Sequence, residues 1–250
     1  NGEIYNYKEL KKELEISGYD FKTSSDTEVL YNCILHFGIE RFTSHLIGMF
    51  AIVCYRPITK ELFLIRDQLG IKPLYFTEIG SYIFFSSEIK AFKYLKLKLN
   101  KNKIIEYLSL GTNIGADTIY KNTFSVLPGQ SIKISLNLKK EKISYFKLID
   151  TFQKSKTFNH HELFDLLVKT IKMHTRSDVK YGCQFSGGLD SSLIASFVSR
   201  LESEKIKGFS VLVNHGLLNE NKYQKSLSQK IGLERTEIIF GIEEFVNKSL

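Results

Sequence analysis

Ser186-Gly187-Gly188-Leu189-Asp190-Ser191-Ser192 follows the apolar run Tyr181–Phe185 and precedes an amphipathic stretch carrying Leu193, Ile194, Phe197, Val198 and Leu201. A glycine-rich turn between a strand and a helix is an anion cradle. Two glycines let main-chain N–H groups come close to an oxyanion, the helix aims the positive end of its dipole there, and the serines add hydroxyl donors. A triphosphate or a pyrophosphate fits such a turn. Asp190 fits it only with a divalent cation present, because a carboxylate beside Mg²⁺ helps to neutralise pyrophosphate instead of repelling it. Neither GxxxxGK[ST] nor GxGxxG occurs, which disfavours P-loop hydrolases and dinucleotide dehydrogenases.

Working outward, the loop sits in a regular alternation. A helix with Leu163, Leu166, Leu167 and Ile171 comes before it; a strand Gly208–Val213, a helix with Tyr223, Leu227 and Ile231 stopped by Gly232, a strand Glu237–Phe240 and the start of a further helix come after. Strands separated by helices of ten or more residues predict βαβ units with right-handed crossovers and a parallel sheet. Such sheets bind ligands at the carboxyl ends of their strands. About three strands are fewer than an open sheet usually has, so this domain is expected to be truncated.

Upstream the rhythm differs. Asn6 is placed to cap a helix carrying Leu10 and Leu14 that Gly18 ends; Ser25 or Asp26 is placed to cap a second, with Val29, Leu30, Cys33, Ile34 and Phe37, ended by Gly38. Short β-rich runs follow at Met49–Tyr55, Glu61–Arg66, Leu74–Thr77 and Tyr82–Ser86, then a short helix at Ile104–Leu108, a Pro128-Gly129 turn and strands near Ser131–Leu136 and Ile143–Phe146. This pattern predicts an antiparallel sheet between packed helices, an α+β unit. The polar stretch Asp150–Asn159 is the expected linker, giving domains at 1–150 and 159–250.

Composition agrees with two medium domains: 250 residues, 43% hydrophobic and 25% charged, which excludes a disordered chain or a disulfide scaffold. Three cysteines, Cys33, Cys54 and Cys183, each lie in an apolar segment and none is in a CxxC pair, so they read as reduced core thiols of a cytoplasmic protein with no zinc site. No run reaches the ~18 apolar residues of a membrane span, and neither a membrane nor a nucleic acid is expected as partner. The net charge is +8, but Lys90–Lys147 holds twelve lysines against Glu106, Asp117 and Glu141, a net of +9, and the remainder nets −1. Those lysines stand singly among Leu, Ile and Asn without interleaved aromatics. They predict a solvated face.

Ser177-Asp178-Val179 completes the pattern SDVxxGxxxSGGLDSS, which resembles the pyrophosphate loop of the PP-loop ATP pyrophosphatases and, within them, the asparagine synthetase family. Asn1-Gly2-Glu3-Ile4-Tyr5-Asn6, Ser25-Asp26-Thr27-Glu28, Gly48-Met49-Phe50-Ala51, Arg66-Asp67 with Gly70-Ile71-Lys72-Pro73-Leu74-Tyr75, and Ser87-Glu88-Ile89-Lys90 are similar, in order and spacing, to the class II glutamine amidotransferase domain of the glutamine-hydrolysing members. The resemblance implies an N-terminal-nucleophile αββα sandwich followed by an α/β PP-loop domain with a Rossmann-like parallel sheet, both truncated. It also implies a ligase that adenylates the aspartate side chain with ATP and Mg²⁺ and amidates it with ammonia from glutamine.

By the same resemblance, Asn1 and Gly2 match the oxyanion hole, and Asn1, Gly2, Glu3 and Asp26 the glutamine site. Phe185, Ser186, Gly187, Gly188, Leu189, Asp190, Ser191, Ser192 and Val211 match the ATP site, with Asp190 holding Mg²⁺ through pyrophosphate. Each of the first four has a plainer reading too: Asn1-Gly2 as a turn, Glu3 as a surface acid, Asp26 as a helix cap. Arg66, Asp67 and Glu88 read as structural, in a buried ion pair or a turn cap. The nucleophilic cysteine and the arginine for the glutamine carboxylate are expected upstream of Asn1, and the three cysteines present do not replace the nucleophile. Asn219-Glu220 stands where many relatives have Asp-Glu, and Arg235-Thr236 where they have a His pair, so the acceptor stays open. Its alternatives are another carboxylate, such as an acidic sugar, or a PP-loop tRNA-modifying enzyme, with a catalytically dead interaction module as a third reading. The partners implied are the small molecules glutamine, aspartate and ATP, with a homodimer left open.

Overall fold

The computed structural model describes residues 1–152, 159–202, 205–213 and 220–241. The chain divides into two compact units, Asn1–Lys156 and Thr157–Leu250. The first contains β1 (Gly2–Ile4), α1 (Tyr7–Ile16), α2 (Asp26–Phe37), β2 (Gly48–Arg56), β3 (Glu61–Arg66), β4 (Tyr75–Ile79), β5 (Tyr82–Ser86), α3 (Lys101–Leu110), β6 (Thr123–Ser125), β7 (Gln130–Ile134) and β8 (Lys140–Ser144). The second contains α4 (His160–His174), β9 (Gly182–Gln184), α5 (Leu189–Leu201), β10 (Lys207–Val213), α6 (Asn221–Ile231) and β11 (Glu234–Phe240). Most of the expected linker, and the helix expected after Phe240, lie outside the described residues.

In the first unit, alternation in β2 and β3 sends successive side chains to opposite faces. Phe50, Phe63 and Ile65 pack under α1 and α2 with Leu10, Leu14, Val29 and Cys33. Ala51 and Leu64 face the other way, onto Leu74, Phe76 and Val126. The apolar run Leu62–Ile65 is therefore buried on both sides of an antiparallel five-stranded sheet of order β1-β2-β3-β7-β8, and a second sheet of order β5-β4-β6 closes the lower core. Helices, sheet and sheet form three layers; α3 buries none of its side chains.

Several local expectations change in the fold. Ser25, not Asp26, caps α2, its hydroxyl accepting from Thr27 N–H. Asn6 precedes α1 without a side-chain cap bond and instead ties to the chain before β2, donating to His45 O and accepting from Ile47 N–H. The last strand of the unit lies at Lys140–Ser144, earlier than the apolar Ile143–Phe146, because main-chain pairing to β7 selects an edge strand irrespective of its lysines. The three-residue strands β1 and β6 carry too little pattern to be read locally. The expected boundary stretch begins with a 3-10 turn, Leu148–Thr151.

Asp67 organises the middle of this unit. It is 1% exposed, and its carboxylate accepts four main-chain N–H bonds: Leu69 at 3.1 Å, Ile71 at 2.9 Å, Lys72 at 2.9 Å and Phe50 at 3.2 Å. Its carbonyl takes Gly129 N–H at 2.8 Å. Arg66 forms no ion pair with it; the guanidinium donates to Lys72 O, Gly70 O, Val126 O and Ser125 Oγ. The turn-cap reading of Asp67 is the one realised, whereas Glu88 is an exposed partner of Lys90.

In the second unit β9, β10 and β11 are parallel, in the order β11-β10-β9. Phe185, Ala195, Val198, Ile206 and Leu233 fill the core beneath the helices.

Asp67→Ala leaves four main-chain donors without their acceptor, and at ~1–3 kcal/mol for each buried orphan the expected loss is about 3 kcal/mol or more. Urea denaturation measures this; an unchanged midpoint would contradict the role given to the carboxylate.

Candidate active site at two main-chain donor clusters

The Ser186–Ser192 loop joins β9 to α5, and its hydroxyls organise it internally. Ser186 Oγ lies 3.2 Å from Ser191 Oγ and accepts from Gly188 N–H at 3.3 Å; Ser191 Oγ accepts from Ser186 N–H at 3.3 Å. The first intrahelical bond is Ser192 N–H to Gly188 O, so the N–H groups of Leu189, Asp190 and Ser191 precede the ladder. Gly188 supplies no side-chain cap. Gly187 has φ +87°, and a Cβ there would meet Tyr223 Cβ and Gln224 N at 3.1 and 3.2 Å. Glycine is required on both counts. Among the described residues the Gly187, Leu189, Asp190 and Ser191 amides have no hydrogen-bond partner, and Asp190 is exposed beside them.

The other sequence-assigned positions are placed as follows. The Phe185 ring is 1% exposed in the core, so this position can reach a ligand only through its main chain. Val211 lies on the opposite face of β10 from the buried Ser210 and is 44% exposed. The Arg235 side chain, which stands where many relatives have a histidine, is buried, pairs with Glu237 and donates to Asn221 Oδ1 at 2.7 Å, fastening the start of α6. Asn219 lies outside the described residues.

In the first unit, Asn1 and Ala51 exchange both main-chain bonds, at 3.1 and 2.8 Å. The next pair, Gly2 with Phe50, is then a non-hydrogen-bonded pair, and Phe50 spends its N–H and C=O on Asp67. Gly2 N–H therefore points out of the free edge of β1. Ile4 N–H points out of the same edge and is taken by Asp26 Oδ2 at 3.0 Å, which brings Asp26 to the strand that carries Gly2 and Glu3. Gly2 has φ +136°, and a Cβ on it would lie 2.0 Å from Met49 O. Asn1 Nδ2 donates to Ser87 Oγ at 3.1 Å, linking the first motif to Ser87-Glu88. Glu3 is exposed.

Sequence reasoning missed Ser87 as the partner of Asn1 and Gln224 as the neighbour of Gly187. The first lay within a quoted motif; the second carried no local signal.

Residues 1–146 match the family model described as glutamine amidotransferase domain, and residues 162–249 the one described as asparagine synthase. The chain belongs to the asparagine synthetase family of glutamine amidotransferases. It is 34% identical over 254 residues to asparagine synthetase [glutamine-hydrolyzing] 1 of Bacillus subtilis, covering 99% of this chain and 39% of that protein. It is 34% identical over 224 residues to a putative asparagine synthetase of Methanocaldococcus jannaschii, covering 84% and 42%, and 30% identical over 213 residues to amidase chry2 of Gibberella zeae, covering 83% and 31%. The chain thus spans about two-fifths or less of these relatives.

None of the three thiols is prepared for nucleophilic attack, which needs a thiolate. Burial, with the charge of Glu13, pushes Cys33 up to about 11. Burial also raises Cys54, against a smaller opposing effect of Arg56, and raises Cys183. At pH 8, below the ordinary thiol value, all three are protonated. Iodoacetamide at that pH is expected to leave Cys33 unmodified in the folded protein and to label all three in denaturant, read by mass spectrometry; fast native labelling of Cys33 would contradict its burial.

Proposed function

We propose that the protein transfers the amide nitrogen of glutamine to a carboxylate activated by ATP, the acceptor being aspartate as the relatives' names suggest. The observation that carries this reading is the pair of donor sites: the outward Gly2 N–H beside the Asn1 side-chain amide on β1, and the unpartnered main-chain amides at the start of α5. The first unit is assigned as the amidotransferase domain, in the αββα class, and the second as part of the PP-loop domain.

At the first cluster, Gly2 N–H and the Asn1 side-chain amide serve as oxyanion donors for an attacked carboxamide, with Asp26 and Glu3 as the acids for the substrate ammonium. Donors fixed in a strand need no reorganisation when negative charge appears, which favours the transition state over the ground state. The glycine requirement at Gly2 comes from the paired strand, whose Met49 O leaves no room for a Cβ.

At the second cluster a phosphate chain fits. The Gly187, Leu189, Asp190 and Ser191 amides are without partners among the described residues, the Ser186 and Ser191 hydroxyls stand in the same loop, and α6 lies so close behind Gly187 that only glycine fits. Among the described residues there is no group of three or more His, Cys, Asp or Glu able to hold a metal alone. Asp190 would share Mg²⁺ with phosphate oxygens, as this cation is usually bound. ATP, when bound, would transfer its adenylyl group to the acceptor carboxylate with release of pyrophosphate, which the loop amides would hold, and Val211 would border the nucleoside. A ligase of asparagine biosynthesis acting in the cytoplasm is the resulting description.

In the full-length protein, Asp190→Asn is expected to abolish Mg²⁺-dependent ATP–pyrophosphate exchange with the fold intact; unchanged exchange would remove the assignment. Asn1→Ala should lower glutaminase kcat by ~10²–10³ with little change in glutamine binding. Asp26→Ala should instead raise KM strongly, since an ammonium partner binds ground and transition states alike, and it should also loosen β1 by freeing Ile4 N–H. Equal effects of the two substitutions on KM alone would refute the roles assigned.

A further inference from the structure

Gln224 lies on the first turn of α6, 1% exposed, and belongs to none of the motifs. Its Nε2 donates to Ser186 O at 3.0 Å, and its Oε1 is buried with no hydrogen-bond partner among the described residues. A buried amide left half satisfied is costly, so the half that is satisfied merits an explanation in function.

The Ser186–Gly187 peptide bond is trans, as are all the described peptide bonds. In a trans peptide the C=O and the following N–H point in opposite directions. Pulling Ser186 O back onto α6 therefore turns Gly187 N–H away from α6, where, like the Leu189, Asp190 and Ser191 amides, it has no partner among the described residues. A flip of this peptide would carry Gly187 φ to the opposite sign, which glycine adopts as readily because it has no side chain to resist it. A flip would put a carbonyl oxygen, which repels an anion, where the donor now stands. Glycine thus leaves this peptide free to invert, and among the described residues its one hydrogen bond comes from outside the loop. Gln224 supplies this contact, and Tyr223 and Gln224 stand so close behind the glycine that a Cβ there would meet them at 3.1 to 3.2 Å.

We infer that Gln224 is a positioning residue for phosphate binding: its side-chain amide locks the Ser186–Gly187 peptide in the orientation that presents Gly187 N–H to the anion. This rests on the phosphate reading of the loop and adds to it a part of α6 that the loop motif does not contain.

The test uses this chain, with Mg²⁺-pyrophosphate as the probe. Affinity is measured by calorimetry, and the Gly187 amide resonance is followed by NMR. The wild type should bind and shift the Gly187 amide. Gln224→Met, close in volume and without a donor, should bind about tenfold more weakly, the size of one lost hydrogen bond to a charged group. It should also lose the Gly187 shift while its unligated fold persists by circular dichroism. Equal affinity and an equal Gly187 shift in the two proteins would overturn the positioning role and leave the phosphate reading standing. Absence of pyrophosphate binding by the wild type would overturn both. A measurement that needs no variant is the coupling across the hydrogen bond between the Gln224 amide and the Ser186 carbonyl carbon; its absence in the folded wild type would also overturn the proposal.

Discussion

A single buried carboxylate holds the first unit in register. Asp67 sits where β3 ends, and its four N–H acceptances join the turn 69–72 to Phe50 on β2. A carboxylate spread over several main-chain donors is stabilised by charge-assisted bonds without needing a counter-ion in the core. Arg66 takes the complementary part, binding carbonyls of the same turn and of Val126. Because Phe50 is fully engaged on this side, β1 can pair with β2 only through the alternate residues Asn1 and Glu3, and the intervening Gly2 N–H is left facing outward. The orientation of the first donor cluster is therefore a consequence of the packing around Asp67.

The two clusters are built on unrelated elements yet follow one rule. Main-chain donors are left unpaired where regular structure ends, at the open edge of a short strand and at the first turn of a helix, and a glycine with positive φ lets a ligand or a neighbouring segment come close. Such donors carry no ionisable proton, so they stay available at any pH at which the fold survives. What they lack is a side chain of their own that fixes their direction, and each depends on one from elsewhere: Asp67, through Phe50, for Gly2, and Gln224 for Gly187.

The charge distribution has a more modest part. Within Lys90–Lys147, Lys103 pairs with Glu106, Lys133 with Glu61 and Glu141, and Lys140 with Glu78, spread over α3, β7 and β8. Pairs at the surface are screened by solvent, so they tune the surface more than they hold the sheet.

The sequence by itself determined the division into an antiparallel and a parallel half, the helices with their terminating glycines, and the loop Ser186–Ser192, because each is encoded by residues within a few positions of one another. Periodicity, turn chemistry and a glycine pair at a strand-to-helix junction are local signals. Tertiary structure alone decided that the Phe185 ring turns into the core, that Arg235 fastens α6, that Ser25 takes the cap expected of either residue, and that a polar segment at Lys140–Lys142 becomes a strand. It also decided the bonds from Asp26 to Ile4, Asn1 to Ser87 and Gln224 to Ser186, which join residues 22, 86 and 38 positions apart. Hydrogen bonds over such separations depend on how layers pack and which strand edges stay open, and no local pattern in the chain records that.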